Sequence, residues 1–177
     1  AGCGGEILLR RTDARTVRSV TALLRQAGCE LLEEQDSVLL RKSGRIGTIP
    51  DVKTDVYPGF PTDCQAILTA ALLRAEGESR IGETVFEDRF HHVPELQKLG
   101  ARLEIHHNTV HISGVRALTG ADMTARDLRG GAALVLAAMQ AEGESRVTGL
   151  THIDRGYERF AEKLRALGAD IERISAG

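Results

Sequence analysis

Ala75-Glu76-Gly77-Glu78-Ser79-Arg80 recurs unchanged as Ala141-Glu142-Gly143-Glu144-Ser145-Arg146, each copy closing an apolar stretch of helical length. An exact hexapeptide at two places sets two units in register, and units of this size are single supersecondary elements that bury their apolar faces on one another. The same step carries Asp88-Arg89 onto Asp154-Arg155. The turn Gly100-Ala101-Arg102-Leu103-Glu104 resembles Gly168-Ala169-Asp170-Ile171-Glu172, with a third copy at Gly28-Cys29-Glu30-Leu31. The chain therefore reads as two fuller units preceded by one that begins late, at about residues 1–50, 58–114 and 124–177.

Each fuller unit has the same grammar. A first helix, Asp63 to Glu76 or Arg129 to Glu142, is apolar nearly all round, which predicts a helix buried on every side. Strand-like stretches come after it at Arg80 to Phe86 and Arg146 to Ile153. A second helix with a single apolar face comes next, through Val93, Leu96 and Leu99 in one unit and Phe160, Leu164 and Leu167 in the other. Pro94 suits its first turn and the Gly-Ala turn its end. Two short strands, Leu103 to His107 and Val110 to Ser113, flank Asn108-Thr109. The opening unit offers a strand at Glu6 to Arg10, a helix with Val17, Val20, Leu24 and Ala27 inward, and strands near Glu30 to Leu32 and Val38 to Leu40, but no buried helix. Sequence is expected to be missing on its N-terminal side.

Composition narrows the function classes. With 177 residues, 42% of them hydrophobic, the chain can bury a sizeable core, and a formal net charge of -2 leaves no basic footprint for nucleic acid or an acidic membrane. Cys3, Cys29 and Cys64 form no C-x-x-C pair, which argues against a disulfide framework or a zinc site and fits a reducing cytoplasm. No signal peptide and no run of eighteen apolar residues is present.

Charged residues at repeat-equivalent places carry the functional signal. In Tyr57-Pro58-Gly59-Phe60-Pro61-Thr62-Asp63-Cys64-Gln65, Pro61 ends any strand and Thr62-x-x-Gln65 has the pattern of a capping box, placing Asp63 in a first helical turn. The plain reading of Asp63 is dipole stabilisation. Arg129 stands at the equivalent position beside Gly130-Gly131, where a cation opposes the helix dipole unless an anion binds there; its plain reading is an ion pair with Asp127. Arg89 and Arg155 occupy equivalent points where a strand gives way to the surface helix. Repetition turns like ends to one side, so Asp63, Arg89, Arg129 and Arg155 should share one rim, suited to a doubly charged substrate held by arginine forks.

Pro58-Gly59-Phe60-Pro61-Thr62-Asp63-x-Gln65, Glu83-Thr84-Val85-Phe86-Glu87-x-Arg89-Phe90-x-His92-Val93-Pro94-Glu95-Leu96, Asp127-Leu128-Arg129 and His152-Ile153-Asp154-Arg155-Gly156-Tyr157-Glu158 resemble the C-terminal part of the UDP-N-acetylglucosamine enolpyruvyl transferase family, over nearly the whole chain. That resemblance implies an α+β fold: repeated βαβαββ units with buried helices, one domain of an inside-out α/β barrel, with the first unit incomplete. It implies transfer of enolpyruvate from phosphoenolpyruvate to the 3-hydroxyl of UDP-N-acetylglucosamine with release of phosphate, a step in peptidoglycan precursor synthesis, without a cofactor or metal. By the same resemblance Asp63 is the base at the sugar hydroxyl, Thr62 and Val85 meet the UDP-sugar, and Arg89, Arg129 and Arg155 surround phosphoenolpyruvate. The family's other domain, with its cysteine-bearing lid loop and its phosphoenolpyruvate lysine, has no counterpart here, so the isolated chain is expected not to turn over.

Cys64 stands where the family usually has methionine and reads as a small buried filler. His91, His92, His106, His107 and His111 suggest a metal cluster, but His106 and His111 lie on opposite arms of a short hairpin with no acidic partner at ligand spacing, so the five read as solvent-facing. Glu33-Glu34 and Asp36 read as a solvated turn. Two rival functions remain: a sibling transferase acting on shikimate phosphate, and a truncated, non-catalytic module that binds an anion or UDP-sugar.

Overall fold

In the computed structural model, which describes residues 1–174, the three repeated glycine turns all adopt the left-handed backbone that only glycine takes without strain. Gly28, Gly100 and Gly168 have φ of 82°, 82° and 95°. Each ends a helix by donating its N–H to a carbonyl of the last turn, at Arg25, Gln97 and Arg165. The glycine C-caps expected from the repeat therefore set where each surface helix stops and the chain turns away from it.

The opening unit runs β1 (Gly5–Arg10), α1 (Arg18–Gln26), β2 (Glu30–Glu33) and β3 (Ser37–Lys42), with β3 central in an antiparallel sheet of order β1-β3-β2. The middle unit adds a strand that periodicity did not announce, β4 (Val52–Lys53). A 3-10 turn at Thr62–Cys64 then leads into α2 (Gln65–Leu72), and β5 (Glu78–Gly82), α3 (Val93–Gln97), β6 (Arg102–His106) and β7 (Thr109–Ser113) come after it. β4 lies parallel to β5, and β5-β7-β6 continue antiparallel, which completes one βαβαββ unit. The last unit repeats its opening with β8 (Asp122–Thr124), α4 (Leu128–Ala138) and β9 (Arg146–Thr148), β8 parallel to β9, and continues through α5 (Leu150–Asp154) and α6 (Phe160–Ala166).

α2 and α4 pack together at the centre. Ala70, Leu72, Ala133 and Ala137 are fully buried, and small residues at such contacts let two helices approach closely. Gln140 fastens the pair, its Nε2 donating to the Ala70 carbonyl at 2.8 Å.

Several expectations need correction. The buried helix of the middle unit starts at Gln65 and ends at Leu72, because the chain first makes the 3-10 turn that holds Asp63. The stretch Arg146 to Ile153 is a strand only to Thr148; Gly149, at φ 76°, turns the chain into α5. Leu167 is largely exposed rather than packed, and α6 is anchored instead through Leu164 and the half-buried Phe160. His92 is buried, not solvent-facing, while His106 and His111 meet edge to face across the β6-β7 hairpin, their ring centroids 4.7 Å apart. Leu8 and Leu9 of β1 and Leu32 of β2 stay exposed in the opening unit, which lacks a buried helix.

Candidate functional site

Asp63 and Arg129 are 66 residues apart and occupy equivalent places in two units, at the N-terminal ends of the two buried helices. Because α2 and α4 pack side by side with like ends together, the two side chains meet. Arg129 Nε donates to Asp63 Oδ1 at 2.8 Å and its terminal nitrogen to Oδ2 at 2.9 Å, the parallel fork typical of a guanidinium on a carboxylate. The local pairing of Arg129 with Asp127 does not form. Asp127 is the N-cap of α4, and its Oδ1 accepts from Gly130 N at 2.8 Å, which leaves Arg129 free to reach across.

Arg129 of this pair lines a cleft of about 240 Å³ together with Thr62, Glu87, Asp88, Arg89, Asp127 and Gly130; Asp63 is not among the residues that line it. Arg89 stacks over the Phe86 ring, its guanidinium carbon 4.3 Å from the centroid. The Arg129 fork holds the Asp63 carboxyl below the ordinary carboxylate range against a partial burial that opposes it, and the charges of Arg129 and Arg89 act the same way. The result is an open hollow in which Arg89 and Arg129 stand among the carboxylates of Glu87, Asp88 and Asp127, with Asp63 bound to Arg129, at the start of an eleven-residue helix whose backbone N–H groups and dipole favour an anion. Arg155 comes directly after the last residue of α5 and is exposed; it is not among the residues that line this cleft.

Thr62 makes no capping box with Gln65. Its hydroxyl donates to Glu83 Oε2 at 2.7 Å, and Gln65 is buried with its amide on Thr69. A buried carboxylate is the stronger acceptor, so it takes the hydroxyl from the helix start. Glu83 also holds the loop that carries Val85 through the Val85 amide, at 2.9 Å. Cys64 is half-buried beside the site rather than buried. Two further residues here escape a reading of the sequence. Glu83 shows there only as part of a motif, because its contacts with Thr54 and Thr62 are non-local. The hydroxyl of Tyr157, its pKa pushed up chiefly by burial, lies within the influence of Arg129, Cys64 and Asp63; it too shows in the sequence only as part of a motif.

Residues 1–164 match the family of EPSP synthase (3-phosphoshikimate 1-carboxyvinyltransferase). The chain belongs to this family. Among relatives of this EPSP synthase family, a UDP-N-acetylglucosamine 1-carboxyvinyltransferase of Granulibacter bethesdensis is 51% identical over 174 residues, covering 97% of this chain and 41% of that protein. The crystal structure of the enolpyruvyl transferase NikO from Streptomyces tendae superposes with a TM-score of 0.86 at 27% identity, covering 97% of this chain and 42% of that one. An EPSP synthase from Acinetobacter baumannii, at 18% identity and a TM-score of 0.76, shares the fold. The chain thus spans about two fifths of the length of the relatives it matches, and its α+β repeats are those of the family's solved structures. No helix among the described residues is long and apolar enough to cross a membrane.

Proposed function

We propose that the chain supplies part of an enolpyruvyl transferase that moves enolpyruvate from phosphoenolpyruvate to the 3-hydroxyl of UDP-N-acetylglucosamine, releasing phosphate. The observation that carries this reading is that Arg129 and Arg89 line one cleft while the Arg129 guanidinium holds Asp63. The name of the 51% identical relative supports the UDP-sugar as acceptor.

In this reading Asp63 takes the proton from the sugar 3-hydroxyl as its oxygen adds to C2 of phosphoenolpyruvate while a proton adds to C3; loss of a C3 proton with phosphate then restores the double bond. A positioned general base of this kind supplies about 10²- to 10⁴-fold. Thr62 and the Val85 backbone lie on the sugar side. Arg89 and Arg129 lie on the side of phosphoenolpyruvate, where they stabilise charge that develops as phosphate leaves. Arg155 completes the set once substrates are bound and the remaining domain, with its cysteine lid loop, closes over the cleft. This chemistry calls for no metal or cofactor.

Joining this chain to the N-terminal remainder of the Granulibacter relative and measuring phosphate release tests the reading. Phosphate release that requires both phosphoenolpyruvate and UDP-N-acetylglucosamine is the expected result. The description of the matched family favours one rival, a transferase acting on shikimate 3-phosphate. Release with that acceptor instead would overturn the UDP-sugar assignment.

A further inference from the structure

Glu83 is only 2% exposed, and the partners that hold it are hydroxyls and amides. Its Oε1 accepts from Thr54 Oγ1 at 2.8 Å, Val85 N at 2.9 Å and Phe86 N at 3.1 Å, while Oε2 accepts from Thr62 Oγ1 at 2.7 Å. Thr54 Oγ1 in turn accepts from Thr84 N at 2.9 Å. One carboxylate thereby ties together the end of β4, the turn that carries Thr62 and Asp63, and the loop that carries Val85 and Phe86. Burying a carboxylate is costly unless good hydrogen bonds offset it, and here four donors do so.

The chain contains its own comparison. Thr54 N donates to the Gly82 carbonyl at 2.9 Å, and at the same point of the last unit Ala125 N donates to the Thr148 carbonyl at 2.9 Å. In that register Gly149 stands for Glu83 and Ala125 for Thr54, and the repeat step that sets Arg129 against Asp63 sets Leu128 against Thr62. Gly149 sits so close to its neighbour that an added Cβ would lie 2.3 Å from the Ala125 carbonyl oxygen. The same strand-to-helix junction is thus built once by close approach of two backbones and once by a buried carboxylate. The carboxylate version is the one beside Asp63 and Val85.

We propose that Glu83 is a positioning residue for the sugar-nucleotide half of the site: it clamps the Thr62-Asp63 turn to the Val85-Phe86 backbone so that base and sugar contacts are presented as one rigid element. This inference rests on the transferase reading above. Glu83 itself touches neither reacting atom; it acts through Thr62 and the loop amides.

Two measurements on Glu83→Ala and Glu83→Gln test the clamp. Glutamine keeps an acceptor oxygen for the Val85 and Phe86 amides and can donate to the Thr62 hydroxyl, so it should rescue what alanine loses. By hydrogen exchange on this chain, the Val85 and Phe86 amides of Glu83→Ala should open about tenfold faster, with Val147 of β9 unchanged and Glu83→Gln close to the parent. In the fusion with the Granulibacter N-terminal remainder, Glu83→Ala should raise KM for UDP-N-acetylglucosamine about tenfold and leave KM for phosphoenolpyruvate within about twofold. A merely structural role would instead lower the amount of active enzyme with both KM values unchanged, and that result, or uniform loosening of amides across all units, would overturn the proposal. An inactive parent fusion would count against the transferase reading alone, and the exchange measurement would then decide the clamp.

Discussion

A carboxylate held by both nitrogens of one guanidinium fork is a poor proton acceptor until something draws that fork away. Asp63 is in this state, with the Arg129 fork as the largest influence on its depressed pKa. Arg129→Ala should therefore raise the Asp63 pKa toward the ordinary value, measurable by NMR titration of the side-chain carboxyl. An unmoved titration would mean that Arg129 does not set it. Asp63→Asn should cost the proposed enzyme about 10²-fold or more in turnover. Its effect on stability should stay within about 1 kcal/mol, because the ion pair is substantially exposed to water. A normal rate with a lowered melting temperature would return Asp63 to a purely structural role.

His92 gives the residue scale a second test. Burial lowers its pKa to about 4, and its Nε2 has no hydrogen-bond partner. A histidine whose folded pKa lies below its unfolded value of about 6.5 leaves the unfolded chain holding more protons between those limits, so stability falls as pH drops from about 6.5 to about 4, by up to about 3 kcal/mol. His92→Phe should flatten that part of the profile in urea melts at several pH values. The acid groups add their losses lower down: Glu83 and Asp63 have depressed pKa values, so what they contribute is present above the ordinary carboxylate range and lost as pH falls through it.

At the scale of elements, strand-to-helix junctions decide what sequence can and cannot show. The buried helices were legible because Ala66 to Ala75 and Gly130 to Ala141 are apolar on every face, and the surface helices because their glycine caps repeat. β4 and β8 were not, since strands of two and three residues are too short to carry a period. The run Val147-Thr148-Gly149-Leu150-Thr151 looks like continuous strand until one knows that Gly149 takes a left-handed backbone under the Ala125 carbonyl. Because of that contact, Gly149→Ala should destabilise by about 2 kcal/mol or more, since it adds a backbone clash to the left-handed strain, while Gly143→Ala, at φ 84° but facing open space, should cost only about 1 kcal/mol. Equal losses in thermal melts would show that the clash relaxes.

Across the whole molecule, the repeat made the common rim legible but not who meets whom on it. Asp63 and Arg129 were expected on one edge, yet their bond depends on how α2 and α4 pack, and the nearer Asp127 looked the better partner until its role as N-cap of α4 was visible. Leu8, Leu9 and Leu32 leave the opening unit with exposed apolar surface, so the isolated chain should bind a hydrophobic dye or self-associate as concentration rises. A monomer without dye binding would contradict this. The central claim is that the cleft between the two buried helix ends holds the anionic substrate, and titrating phosphoenolpyruvate into the isotopically labelled chain while recording amide and arginine side-chain NMR signals tests it most directly. Shifts should centre on Arg89, Arg129 and Gly130, weaken as salt shortens the screening length from about 10 Å, and vanish in Arg129→Ala. Shifts centred elsewhere, or unchanged in Arg129→Ala, would contradict it.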